Sequence, residues 1–104
     1  MRIVVDRRFG ELQIRLEDAG EFASLRIESA DPRDELSAHT LAGLGRPSGT
    51  QHVLIEPSTL RALAGDHAFD ESWSAGFDSM VAYARSRGWL SAAGEIRVHI
   101  APSG

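Results

Sequence analysis

The chain contains no cysteine. Disulfides, thiolate nucleophiles and cysteine-built zinc sites are thereby excluded, and a reducing compartment is the natural setting. Lysine and asparagine are also absent, so all 11 basic residues are arginine. This is the imprint of a GC-rich genome, so the arginines need no phosphate ligand to explain them, and they do not cluster. No apolar run approaches the roughly 20 residues of a membrane span. The opening Met1-Arg2-Ile3-Val4-Val5-Asp6 is too short and too charged for a secretory leader. A cytoplasmic location without a membrane partner is expected. Acidic residues outnumber basic ones, 15 to 11, and the net charge of −4 disfavours nucleic acid as a partner.

What is present describes an ordinary globular chain. Its 104 residues fit one domain spanning 1–104, and 42% are hydrophobic, too many for disorder. Strands are expected over about 1–6, 11–17, 22–29, 51–56 and 95–101: Ile3–Val5 and Val53–Ile55 are continuous apolar runs, and in the other three apolar residues alternate with polar ones, the period of half-buried strands. The first three are joined by turns at Asp6–Gly10 and Glu17–Glu21, with Gly20 free to take positive φ, and are expected to form an antiparallel meander. Helices are predicted over about 58–64, capped by Ser58 and closed by Gly65, and over 71–87, capped by Asp70. In the longer one Trp73, Phe77, Met80, Val81 and Ala84 form one stripe, and Gly88 follows at the C′ position. The segment 29–50 is expected to be a loop or a short helix opening at Asp31-Pro32. The fold class that results is α+β: an antiparallel or mixed sheet of four or five strands with helices packed on one face.

Residues able to carry chemistry are few. No metal-ligand spacing occurs: His52 and Glu56 share a strand face but stand about 13 Å apart, and no histidine pair has helical spacing. No metal and no cofactor are therefore expected. The run Gly43-Leu44-Gly45-Arg46-Pro47-Ser48-Gly49 resembles a dinucleotide fingerprint, but its third glycine is one position late. It also leads into a strand, which removes the helix dipole that would hold phosphate. No nucleophile elbow is present. His52 and His99 would face each other if their strands pair, with Glu56 orienting one of them for acid–base work. Gly76 in mid-helix implies close packing by a neighbour, or a dent that admits a ligand beside Tyr83 and Trp89.

Two functional expectations follow. The first is a non-catalytic association module, self-associating as a homodimer through open sheet edges. The second is a small-molecule binder or small enzyme whose site lies between sheet and helix layer, lined by His52, Glu56, Tyr83, Trp89 and His99. The absence of a catalytic motif weighs against an enzyme.

Overall fold

The computed structural model describes residues 1–31, 33 and 36–101. The strands are β1 (Arg2–Arg8), β2 (Glu11–Glu17), β3 (Arg26–Ser29), β4 (Arg46–Pro47), β5 (His52–Ile55) and β6 (Ile96–Ile100). They form one mixed sheet in the order β2-β1-β3-β6-β5-β4, with helices α1 (Pro57–Leu63) and α2 (Glu71–Ser86) completing the α+β fold. The sixth strand, β4, falls within the segment 29–50, as does a short 3₁₀ turn over Ala38–Leu41 with Ala38 and Leu41 buried. Pro32, the expected first helical residue, lies outside the described residues.

The expected meander is corrected. β1 and β2 form an antiparallel hairpin, but β3 lies on the other side of β1 and runs parallel to it, Arg2 opposite Arg26 and Ile3 opposite Ile27. Alternation fixes which face of a strand is buried and leaves its neighbour open. The connection Asp18–Leu25 therefore crosses one end of the sheet. It is pinned there by the Met1 ammonium, which donates to the Glu21 carbonyl at 2.7 Å, and by the Trp73 indole, which donates to the Ala19 carbonyl at 2.8 Å. Positive φ falls on Asp18 at 53°, in place of the expected Gly20. Phe22–Leu25 leave the sheet, so the strand expected over 22–29 is shortened to β3.

The helices follow their local chemistry. Asp70 Oδ1 accepts from the backbone N–H of Ser72 and Trp73 at 2.8 and 3.1 Å, which fixes the start of α2. α1 starts one residue earlier than expected: Glu56 is its N-cap, Pro57 takes the first helical position and Ser58 lies inside. Trp73, Phe77 and Ala84 of the α2 stripe are buried, and Met80 and Val81 half-buried. Trp73 and Phe77, stacked at 5.0 Å, join Ile3, Val5, Ile27, Val53 and Val98 in one apolar core. Glu71, Asp78, Ser79, Arg85 and Ser86 on the back of α2 face water.

The other face of the sheet is charged. The register sets Glu17, Arg2, Arg26, His99 and His52 in one row across five strands. Arg2 holds one end of that row through Glu17, Asp18 and Glu28 at 2.7, 3.0 and 3.0 Å.

Candidate functional site

β3 and β6 pair only at Arg26↔His99 and Ile27↔Ile100. Because Phe22–Leu25 turn away, the first part of β6 has no strand neighbour on that side, and the sheet splits. The segment after α2 enters this split. Gly88 takes φ +74° and reverses the chain, and Trp89 donates its backbone N–H to the Ala84 carbonyl at 2.9 Å. The Trp89 carbonyl then accepts from the Arg97 N–H at 3.2 Å. Trp89 meets Tyr83 edge to face, ring centroids 5.7 Å apart, and the two remain 50% and 58% exposed. Phe9 and Phe69 are more exposed still; what sets Tyr83 and Trp89 apart is that they adjoin, and contiguous apolar surface is what marks contact sites.

The result is a groove in two parts. An apolar hollow of about 320 Å³ is walled by Phe22, Leu25, Met80, Tyr83 and Trp89, with Arg97 at its rim. A second hollow of about 330 Å³ shares Leu25, Trp89 and Arg97 and opens onto His52 and His99. Neither is lined by an aspartate or glutamate among the described residues.

The polar part sets one guanidinium beside two imidazoles. His52 stands directly opposite His99 in the β5–β6 ladder, and Leu54 opposite Arg97, so His52, His99 and Arg97 project from one face. The imidazole centroids are 4.9 Å apart. His52 is half-buried and His99 exposed. Loss of solvent holds the His52 pKa below the usual imidazole value, and Arg97 and then His99 push it the same way. The Arg97 Nε donates to Ser48 Oγ at 3.4 Å, and no carboxylate among the described residues pairs with its guanidinium. The Arg87 guanidinium lies 5.8 Å from the centroid of the Trp89 ring, over its face.

Of the residues singled out by sequence, His52, His99, Tyr83 and Trp89 are brought to this groove. Glu56 is not: it is exposed at the N-cap of α1 and borders neither hollow. Gly76 acts indirectly. A Cβ there would stand 2.5 Å from the Phe22 ring, so the missing side chain is what lets Phe22 lie against α2 and against Trp73, 6.0 Å away. Sequence reasoning did not mark Phe22, Leu25, Met80 or Arg97 as site residues. Arg97 carried a signal, since its parity on β6 matches that of His99. Phe22 carried none, because the chain leaves the strand pattern there. His39 and His67 are exposed on separate 3₁₀ turns.

Among the described residues no group of three or more His, Cys, Asp or Glu is placed to hold a metal ion, and no helix is long and apolar enough to cross a membrane. Compared with protein-family models, with curated proteins and with solved structures, the chain matches none.

Proposed function

We propose that the chain is a small-molecule-binding module, and that its ligand is an amphipathic anion: a flat apolar body joined to a carboxylate or similar acid. The observation that carries this reading is the abutment of two unlike surfaces at Trp89. On one side lie Phe22, Met80, Tyr83 and Trp89; on the other, Arg97, His99 and His52. Exposed aromatic faces accept a planar apolar group, and a guanidinium with no carboxylate partner among the described residues offers a fork that matches an acid. This is a local positive site on a chain of net charge −4, so the field of the whole protein does not supply the attraction. The hollows fall at the small end of the range for ligand sites. The paired imidazoles serve here as anion contacts, and the reading needs no catalytic step from them.

Isothermal titration with 2-naphthoate and with its uncharged counterpart 2-naphthalenemethanol tests the proposal. The acid is expected to bind in the micromolar to low millimolar range, and the alcohol at least tenfold more weakly. Equal affinity for both, or an acid affinity unchanged by Arg97→Gln, removes the anion site. No binding of either compound removes the groove as a ligand site.

A further inference from the structure

The two edges of the sheet are unlike. The β4 edge has two residues, one of them Pro47, and is blunted against further pairing. The β2 edge offers seven residues, Glu-Leu-Gln-Ile-Arg-Leu-Glu, without proline, glycine or lysine and free of a covering element in the strand order. Such an edge is a ready template for another strand. Leu12, Ile14 and Leu16, on the face turned toward the core, stay only half-buried.

The hairpin geometry defines which groups are on offer. Phe9 and Gly10 form the whole turn, with φ 53° and 80°, and Arg8 pairs with Glu11 directly after it. A two-residue turn with both φ positive closes on a hydrogen-bonded pair, and hydrogen-bonded pairs alternate along an antiparallel ribbon. The backbone N–H and C=O groups of Leu12, Ile14 and Leu16 therefore point to the open edge.

We infer that β2 pairs antiparallel with β2 of a second copy of this chain, giving a twofold dimer with one continuous sheet, centred on Gln13. In this register Leu12 faces Ile14 of the second copy, so the outward backbone groups meet and the half-covered apolar row is extended across the axis. On the opposite face Glu11 meets Arg15 of the second copy, twice by symmetry. Centring one residue later, on Ile14, would set Glu11 against Glu17, a repulsive pair, so charge selects the Gln13 register. Arg15 is half-exposed; it holds its own Glu17 through Nε at 3.0 Å and Asp6 through Nη1 at 3.8 Å, which leaves Nη2 for a cross-axis glutamate. The groove lined by Trp89 and Arg97 lies on β6 and α2, away from β2, and the dimer forms independently of it.

Sedimentation equilibrium of the full chain over a concentration series provides the test, with circular dichroism to check folding. Wild type is expected to reach twice the 11.3 kDa chain mass at high micromolar concentration. Glu11→Arg and Arg15→Glu should each weaken the dimer at least tenfold, and the double swap Glu11→Arg/Arg15→Glu should restore it. Both the single Arg15 variant and the double swap lose the intrachain Arg15 contacts, so recovery reports only the cross-axis pair. A monomer at all concentrations overturns the inference. So does a dimer indifferent to both single changes, one tightened by Glu11→Arg as the Ile14-centred register requires, or one that the double swap fails to restore.

Discussion

His52 and His99 stand opposite each other on adjacent strands with their rings 4.9 Å apart, and Arg97 projects from the same face. Arg97 and His99 so placed disfavour charge on His52 until an anion arrives. The His52 pKa is lowered by burial first and by Arg97 and His99 after it. In the unliganded protein the unfolded chain thus takes up the proton more readily than the folded one. The stability due to neutral His52 is complete above its unfolded pKa, and is lost as pH falls through the lower folded value. His52→Gln should flatten that part of the stability profile, measured by urea unfolding between pH 7.5 and 5.

A bound anion reverses the balance, because it favours protonated imidazole. Affinity for 2-naphthoate should therefore rise several-fold between pH 7.5 and 5.5, with proton uptake visible as a buffer-dependent heat in the titration. The His52→Gln/His99→Gln variant should lose this dependence and keep a weaker, pH-independent affinity through Arg97. An affinity that falls on acidification contradicts the assignment.

Gly76 and Phe22 make a coupled pair. Alanine in mid-helix ordinarily gains about 1 kcal/mol over glycine, yet a Cβ at position 76 would meet the Phe22 ring at 2.5 Å. Gly76→Ala is expected to cost on the order of 1 kcal/mol, as overpacking does, and to weaken ligand binding by shifting a wall of the groove. In a Phe22→Ala background the same change should turn stabilising. A double-mutant cycle by urea unfolding reads the coupling.

Trp73 ties α2 to the crossing segment through its bond to the Ala19 carbonyl. Trp73→Phe keeps much of the apolar body and removes the donor, leaving a buried carbonyl without that partner. Its expected cost is about 1–3 kcal/mol. An unchanged unfolding midpoint would show that the crossing segment is held by other contacts.

Glu95 is buried and receives the Arg46 guanidinium on both carboxylate oxygens, with the Ser91 hydroxyl donating to Oε1 at 3.0 Å. The hydrogen bonds from Arg46 are the first cause of its lowered pKa. The stability from this pair is present above the unfolded glutamate pKa and lost as pH falls through the lower folded value. Arg46→Gln should therefore lower the thermal midpoint at pH 7, and the difference from wild type should close in acid.

Much of the fold was legible from local pattern. The α2 stripe, the Asp70 cap and the strands containing His52 and His99 follow from periodicity and end chemistry, which act over a few residues. The parallel seat of β3 was not legible, because pairing partners are chosen over long sequence distances. Its consequence, the split between β3 and β6, is the feature that makes the groove. Sequence could name Tyr83, Trp89, His52 and His99, and could not show that Phe22 and Leu25 would complete their surroundings. Glu56 was drawn toward the site by strand parity alone, while the proline after it turns the chain into α1.

On the proposed reading, one anion occupies the groove between the aromatic wall and the Arg97–histidine face. An amide and side-chain NMR titration of the isotope-labelled protein with 2-naphthoate tests it directly. Saturable shifts confined to Leu25, Tyr83, the Trp89 indole, Arg97, His99 and His52 are expected, with all of them reporting one dissociation constant. Shifts scattered over the surface, or none at millimolar ligand in the folded protein, would contradict it.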